Sequence, residues 1–210
     1  SPIDSKIHYS VKANSNLGIL RVFKDLGAGF DIVSGGELSR VLAVGGDPKD
    51  VIFSGVGKST AEIDLALKVG VGCFNVESHS ELIRIQQRAE LAEKIAPISI
   101  RVNPDVDAKT HPYISTGLKN NKFGVDAATA LTLYAIAAEA NALRIDGIDC
   151  HIGSQIANAE PLLQALNSVL QLVDILSSKG IVLQHVNLGG GFGVRYRDEQ
   201  ALDLDTYGAQ

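Results

Sequence analysis

The chain has 210 residues, 45% of them hydrophobic and 20% charged, and carries a formal net charge of −5 at pH 7. A chain this mildly acidic has no bulk electrostatic attraction to nucleic acid or anionic lipid, and it shows neither a signal-peptide pattern nor an apolar run near the roughly 20 residues that cross a bilayer. We therefore expect a cytoplasmic enzyme or small-molecule-binding domain without nucleic-acid or membrane partners.

The cysteine and methionine counts add two expectations. Cys73 and Cys150 are far apart and in no C-x-x-C spacing, so we expect reduced thiols rather than a disulfide. The chain has no Met. Together with the abrupt ends at Ser1 and Gln210, this predicts that the 210 residues are part of a longer protein.

Seven short runs of β-type sequence recur along the chain. The first four begin at positions 7, 29, 51 and 73, so each run is followed by room for a helix of about 10 residues and two tight loops. The runs are Ile7–Lys12, Gly29–Val33, Val51–Ser54, Cys73–Val76, Ile98–Val102, Ile145–His151 and His185–Leu188.

The segments between the first five runs carry apolar side chains at helical spacing, within 17–26, 38–42, 63–67 and 82–85. Alternation of strand and helix predicts an α/β fold of parallel βα units. An open doubly wound sheet is possible, but the even spacing better fits a (β/α)8 TIM barrel that is incomplete, with about seven of its eight units. No linker composition interrupts the chain, so we expect one domain over residues 1–210.

A polar connection of roughly 20 residues, from Asn103 to Gly124, follows the fifth run. Loops this long in compact domains are usually functional or disordered. Because active sites of such barrels lie at the carboxyl ends of the strands, we expect this loop to be functional.

Two glycine-rich segments imitate nucleotide-binding motifs. Gly55-Val56-Gly57-Lys58-Ser59 resembles the end of a P-loop, but the first glycine of that motif would fall on Ile52, so we predict a turn with Ser59 or Thr60 as the helix N-cap. The segment 189–193 lacks the small residue that a dinucleotide fingerprint needs at Val194. Three consecutive glycines, Gly189, Gly190 and Gly191, directly after the seventh run predict a phosphate site instead.

Three further residues at predicted strand ends are candidates for chemistry. Lys12 ends the first run, where a desolvated lysine can lose its proton and form an imine with a carbonyl. His151 leaves the sixth run and can stack on a flat ring, while the nearby Ser154 hydroxyl can donate to a phosphate. An imine lysine with a phosphate site fits pyridoxal phosphate or a Schiff-base aldolase. No second cluster completes a metal site around Cys150.

These segments together resemble the fold-type III pyridoxal-phosphate decarboxylases. The resemblance covers nearly the whole chain, and its motifs stand in the order found in that family. They are Tyr9-Ser10-Val11-Lys12-Ala13-Asn14, Phe30–Glu37, Arg101–Pro104, His151–Gln155 and Leu188–Gly191. Within the family, Thr110–Gly117 and Lys122–Gly124 are more similar to the branch that acts on diaminopimelate than to the ornithine or arginine branches.

The resemblance implies a pyridoxal-phosphate-binding barrel of the alanine racemase type, followed by a β domain that these residues do not include. It implies a homodimer with active sites at the subunit interface. In it, Lys12 is the imine lysine, His151 stacks on the cofactor ring, and Ser154 and Gly189–Gly191 hold the phosphate. Asp31, Glu37 and Arg101 would line the cofactor site. No metal is implied.

The implied reaction is decarboxylation of meso-2,6-diaminopimelate to L-lysine and carbon dioxide, the last step of lysine biosynthesis. The family's Glu-Pro-Gly-Arg segment and its β-domain cysteine do not occur here, so we expect these residues to be inactive alone and the full gene product to be active. Three alternatives stay open: another decarboxylase or a racemase with the same cofactor, a cofactor-free aldolase, and a non-catalytic cofactor carrier.

Overall fold

The structure is a computed structural model that describes residues 4–106, 123–197 and 201–209. Its strands are β1 (His8–Ser10), β2 (Gly29–Ile32), β3 (Val51–Phe53), β4 (Cys73–Val76), β5 (Ala96–Arg101), β6 (Leu143–Asp149) and β7 (His185–Asn187). Its α-helices are α1 (Leu17–Asp25), α2 (Gly35–Ala43), α3 (Thr60–Val69), α4 (His79–Leu91), α5 (Ala127–Ala138), α6 (Ala159–Ser178) and α7 (Leu204–Ala209).

The strands are neighbours in the sheet in chain order, from β1 to β7. The pairs β1–β2, β2–β3, β3–β4 and β6–β7 are parallel, and a helix separates the members of each pair along the chain. This is the strand order of a (β/α)8 barrel from its first to its seventh unit. The predicted fold class, α/β with parallel βα units, is confirmed.

The first strand is shorter than the sequence indicates. Its pairing with β2 ends at Ser10 opposite Asp31, and Val11–Ala13 form a 3-10 turn. Val11 is buried while Lys12 and Ala13 are exposed, so the two-residue alternation of a strand stops before Lys12. Lys12 therefore lies in the turn after β1 and not at the end of the strand itself.

The chain divides into two compact units. The amino-terminal unit comprises Ser5–Ser99 and Ala135–Asp146, and the carboxyl-terminal unit comprises Ser1–Asp4, Ile100–Tyr134 and Gly147–Gln210. The expectation of one domain over residues 1–210 stays a prediction.

Three successive helices of the amino-terminal unit begin with the same motif, Ser-x-x-Glu. Ser34, Ser59 and Ser78 are the N-caps of α2, α3 and α4, and each side chain accepts a hydrogen bond from the backbone N–H of the glutamate three residues later. The predicted cap at Ser59 is confirmed, and there the Glu62 side chain also accepts from the Ser59 backbone, which completes a capping box.

The side chains of these glutamates also accept hydrogen bonds from backbone N–H groups of nearby loops. The second oxygen of Glu62 accepts from the backbone N–H of Gly35, at the start of α2, at 2.8 Å. This N–H and the donations from Ser59 lower the pKa of the Glu62 carboxyl from its ordinary value of 4.5. The stabilisation is therefore present above pH 4.5 and is lost as the pH falls below it.

Lys58, in the loop after β3, binds residues of that loop, of β4 and of α4. Only 2% of the residue is exposed, and its ammonium donates to the backbone oxygens of Gly55 and Asn75 and to Oε1 of Glu81, at 2.7–2.8 Å. The other Glu81 oxygen accepts from the backbone N–H of Glu77, whose own carboxylate accepts from Gly55. All three ammonium protons are thus donated to acceptors inside the protein. The lysine of the P-loop-like segment therefore has a structural role.

The carboxyl-terminal unit has its own apolar cluster. Five buried residues form it: Val106, Ile152, Ile156, Leu162 and Ala165. Leu202 and Tyr207 pack against it, and the Tyr207 ring meets Phe192 edge-on at a centroid distance of 5.6 Å. The segment around α7, for which the sequence predicts no element, is thereby attached to the residues that follow β6. None of the helices within the described ranges is long and apolar enough to cross a membrane.

We expect Lys58→Met to lower the free energy of unfolding by about 3–5 kcal/mol, because it leaves the Glu81 carboxylate buried without its cation. Lys49→Met is the matched control, since the exposed Lys49 side chain has no polar partner among the described residues; it should change stability by less than about 0.5 kcal/mol. Urea unfolding followed by circular dichroism measures both. Equal losses in the two variants would contradict this account of Lys58.

Candidate functional site

In the amino-terminal unit, Lys12 is an exposed side chain in the 3-10 turn that follows β1. Its ammonium makes no hydrogen bond or ion pair with any residue that the structure describes. This contrasts with the saturated Lys58. Of the two lysines that follow strands here, Lys12 is the one available to react with a carbonyl.

Asp31 lies on β2, opposite Ser10 of β1 in the strand register. Its Oδ2 accepts from the Ser10 hydroxyl at 3.2 Å, and its Oδ1 accepts from the Ser54 hydroxyl at 2.5 Å. Ser54 in turn accepts from the Asn75 side-chain amide at 3.1 Å. The half-buried carboxylate is therefore bound by hydroxyls from both neighbouring strands, and it faces the end of the sheet at which Lys12 follows β1.

Glu37 is the third predicted site residue of this unit, and the structure gives it a local partner. It belongs to the Ser-x-x-Glu motif of α2, and its Oε2 accepts from the backbone N–H of Val33 at 2.7 Å. Ser34 caps its backbone N–H. Glu37 thus fixes the turn between β2 and α2, and its role in a cofactor site stays a prediction.

In the carboxyl-terminal unit, Arg101 ends β5. Its Nε lies 3.8 Å from Oδ2 of Asp149, which ends β6, and its guanidinium lies over the Phe123 ring at 5.3 Å. Both charged side chains are largely buried, at 13% and 7% exposure. Arg101 is thereby held at the carboxyl end of its strand, where the sequence predicts it to act.

His151 and the triple glycine come together, although they are almost forty residues apart in the chain. The backbone N–H of Gly190 points to Nδ1 of His151 at 3.4 Å. The loop that follows β6 continues beside the same glycines: Ile156 donates to the Gly191 oxygen, and Ile156 bridges Phe192 in the manner of parallel strands. The predicted ring-stacking residue and the predicted phosphate loop are therefore neighbours.

Two of the three glycines cannot carry a side chain. Gly189 and Gly191 have φ values of +69° and +89°, a region that favours glycine. A Cβ on Gly191 would lie 1.9 Å from the Gly153 oxygen, and one on Gly189 would lie 2.6 Å from the Cys150 oxygen. At Gly190 a Cβ would meet nothing within 4 Å. The first and third glycines are required by the close approach of two backbones, and the middle one borders open space.

The residues at this loop fit an anionic phosphate. Ser154 is exposed and directly follows the residue that Gly191 contacts, and its hydroxyl has no partner among the described residues. The Gly191 backbone N–H likewise donates to no described residue. A phosphate needs such uncommitted donors and room for close approach to the backbone.

Cys150, next to His151, is not a reactive group. Burial, and to a lesser extent the adjacent Asp149 charge, raise the pKa of its thiol to about 12. The thiol is thus protonated at neutral pH, and a protonated thiol is neither a nucleophile nor a good metal ligand. Among the described residues no three His, Cys, Asp or Glu side chains are grouped to hold a metal ion. Cys73 and Cys150 form no disulfide, as predicted.

The long polar loop of the sequence lies mainly outside the described residues, and with it the segment Thr110–Gly117. The sequence does not single out Ser54, which follows β3, or Asn75, which lies in β4, as site residues. Their only signal is a polar residue at or next to the carboxyl end of an otherwise apolar run, two residues beyond the position in register with Asp31.

Residues 2–210 match a family model described as the pyridoxal-binding domain of pyridoxal-dependent decarboxylases. The chain belongs to this family. The cofactor that the domain serves is pyridoxal phosphate, in agreement with the lysine and the phosphate loop above. The expected resemblance to fold-type III decarboxylases is confirmed.

Similar proteins include diaminopimelate decarboxylases of two bacteria. The chain is 60% identical over 199 residues to that of Neisseria meningitidis serogroup B, which covers 95% of this chain and 48% of the relative. It is 63% identical over 193 residues to that of Pseudomonas aeruginosa, covering 91% and 46%. The chain spans about half the length of the curated relatives it matches.

Solved structures show the same similarity. The structure of diaminopimelate decarboxylase from Helicobacter pylori complexed with L-lysine matches all of this chain and 53% of its own, with 44% identity and a TM-score of 0.97. The corresponding enzyme from M. jannaschii, also in complex with L-lysine, matches 93% of this chain and 46% of its own, with 40% identity and a TM-score of 0.86.

We expect Gly191→Ala to destabilise the protein by about 2 kcal/mol or more, because the added methyl group collides with the Gly153 oxygen in a backbone conformation that alanine rarely adopts. Gly190→Ala is the matched control and should cost less than about 0.5 kcal/mol, since its methyl group enters open space. Thermal unfolding measures the pair. Similar losses in both variants would refute the close approach of the two loops.

Proposed function

We propose that the complete protein is a pyridoxal-phosphate-dependent carboxy-lyase that converts meso-2,6-diaminopimelate to L-lysine and carbon dioxide. The observation that carries the proposal is the 60% identity, over nearly the whole chain, to a diaminopimelate decarboxylase. The L-lysine in the Helicobacter pylori structure is the product that this reaction would release.

The residues of each unit have distinct tasks in this proposal. In the amino-terminal unit, Lys12 would hold the cofactor through its uncommitted amine, and Asp31 and Glu37 would line the cofactor site. In the carboxyl-terminal unit, His151 would stack on the ring, and Ser154 with Gly189–Gly191 would hold the phosphate. Arg101, held beside Asp149, contributes a fixed positive charge.

Pyridoxal phosphate supplies an electron-withdrawing ring that accepts the electron pair left when carbon dioxide departs. The chain's own contribution is positional. Gly189 and Gly191 let the loops after β6 and β7 approach each other, and their backbone would hold the phosphate end of the cofactor. The flat imidazole of His151 is half-buried and accepts from the Gly190 N–H, so it would limit the tilt of the cofactor ring. Both contacts would orient the cofactor toward a substrate amine.

We propose further that the complete protein is a cytoplasmic homodimer whose active sites lie at the subunit interface. Support comes from the family resemblance, which implies a homodimer of this kind. Because the 210 residues contain neither the Glu-Pro-Gly-Arg segment nor the β-domain cysteine that the family uses, we expect no turnover from these residues alone. Sedimentation of the complete gene product would reveal its oligomeric state.

A second candidate is decarboxylation of a shorter or simpler diamino acid. The lysine/ornithine decarboxylase of Vibrio vulnificus, complexed with putrescine, matches 97% of this chain with 25% identity and a TM-score of 0.81. The much higher identity to the diaminopimelate enzymes favours the first candidate.

Borohydride reduction in the presence of pyridoxal phosphate, followed by peptide mass mapping, should label Lys12 above all other lysines. The Lys12→Ala variant should lose this label, because no other described lysine that directly follows the carboxyl end of a strand has an uncommitted amine. Lys68→Ala, which removes an exposed lysine at the end of α3, is the matched control and should keep it. Equal labelling of many lysines in the folded complete protein would rule out Lys12 as the reactive amine.

Carbon dioxide release from the complete gene product should be about a hundredfold or more faster with meso-2,6-diaminopimelate than with L-ornithine, L-arginine or L-lysine. A substrate that lacks a polar group leaves the site residue that would bind this group without a partner, and such a loss lowers the rate by this factor or more. Labelled carboxylate in each amino acid allows one assay for the four. Preference for L-ornithine or L-lysine would establish the second candidate, and racemisation without release would reject both.

A further inference from the structure

We propose that Ser54 and Asn75 are positioning residues that act through Asp31. They form a one-way chain of hydrogen bonds, from the Asn75 amide to the Ser54 hydroxyl to the Asp31 carboxylate, and this chain fixes the carboxylate beside the strand that leads to Lys12. The inference rests on the proposed function, since it deepens the role of the same site.

The direction of the chain follows from the chemistry of its three members. An ionised carboxylate can only accept, so at the Ser54–Asp31 contact the hydrogen belongs to Ser54. The Ser54 oxygen is then left as an acceptor, and the Asn75 group that faces it must be the amino group. The donor end of Asn75 thereby determines where the Ser54 hydroxyl points.

Burial makes this arrangement costly to change. Asn75 is 1% exposed, and its Oδ1 has no partner among the described residues. A buried amide oxygen without a partner lowers the stability of the fold, so stability alone does not explain this orientation of the Asn75 side chain. The orientation is explained if the amino group is required at Ser54.

The backbone around Ser54 is fixed as well. Gly55, the next residue, donates its N–H to Glu77, and Lys58 binds the Gly55 oxygen. The backbone oxygen of Asn75 accepts a hydrogen bond from the same lysine. The buried Lys58 cluster therefore holds both members of the chain at the level of Asp31.

Asp31 is the point at which the chain meets the site. Its second oxygen binds Ser10, which pairs with it in the strand register and lies two residues before Lys12. With hydroxyls on both oxygens, the carboxylate has one orientation and presents a fixed negative charge at the carboxyl end of β2. A fixed charge acts on the groups that bind there more strongly than one that can rotate away.

The test is a double-mutant cycle on the complete gene product. Ser54→Ala, Asp31→Asn and the combination are compared for the Kd of pyridoxal phosphate, titrated into cofactor-free protein, and for kcat/KM of decarboxylation. Ser54→Ala alone should weaken both by about tenfold, the worth of one hydrogen bond to a charged group. In the Asp31→Asn background the same change should have less than about a twofold effect, because its target is gone.

Three variants separate positioning from packing. Ser54→Thr keeps the hydroxyl and should retain most of the wild-type Kd. Asn75→Asp replaces the donor by an acceptor of the same shape, and should act in the same direction as Ser54→Ala. Ser99→Ala is the matched control: Ser99 is a fully buried serine whose hydroxyl has no described partner, so its loss should shift the unfolding temperature at most and leave Kd unchanged.

The outcomes distinguish this inference from the proposed function. If the unsubstituted protein binds the cofactor and releases carbon dioxide, while Ser54→Ala matches Ser99→Ala, the positioning role is refuted and the function stands. Additive effects of Ser54→Ala and Asp31→Asn refute it too, since Ser54 would then act independently. Failure of the unsubstituted, folded protein to bind pyridoxal phosphate overturns the proposed function and this inference with it.

Discussion

Carboxylates that accept backbone N–H groups hold together the loops at the carboxyl ends of β2, β3 and β4, and the rest of the amino-terminal unit's site depends on them. Glu62 accepts from Gly35 at the start of α2, Glu77 accepts from Gly55, and Glu81 accepts from Glu77 and also binds the Lys58 ammonium. Each contact satisfies a donor that would otherwise be left unpaired near the surface of the core. Ser54 and Asn75 lie inside this network, so the hydrogen bonds of the surrounding backbone hold the Ser54 hydroxyl where it reaches Asp31.

The carboxyl-terminal unit obtains its site in a different way, from the absence of side chains. Gly189 and Gly191 allow the loop after β7 to touch the loop after β6, at distances that any Cβ would prevent. The contact puts His151 beside the glycines and leaves the Gly191 N–H and the Ser154 hydroxyl without described partners. These uncommitted donors support the proposal that this loop binds a phosphate.

Lys12 and Lys58 both follow strands, but they differ in burial and therefore in the contacts that their ammonium groups make. Lys58 is enclosed and gives all its protons to internal acceptors, so it ties two loops together. Lys12 is exposed in the 3-10 turn after β1 and gives none to any described residue. The proposed function assigns the binding of pyridoxal phosphate to an amine of the second kind. The same contrast holds for Cys150, whose burial keeps its thiol protonated although it lies beside a predicted site residue.

The strand spacing, the helix caps and the motif order are local properties, and the sequence by itself determined them. Runs that begin every 22 residues specify βα units, Ser59 before an apolar helix specifies a cap, and the segments around Lys12, His151 and the glycines specify the family. Contacts between residues distant in the chain depend on tertiary structure, because strand register and loop approach decide which side chains meet. Only the tertiary structure revealed that Lys58 is an internal tie and that Ser54 and Asn75 join Asp31, since hydrogen-bond partners 17 to 23 residues away leave no periodic trace in the sequence.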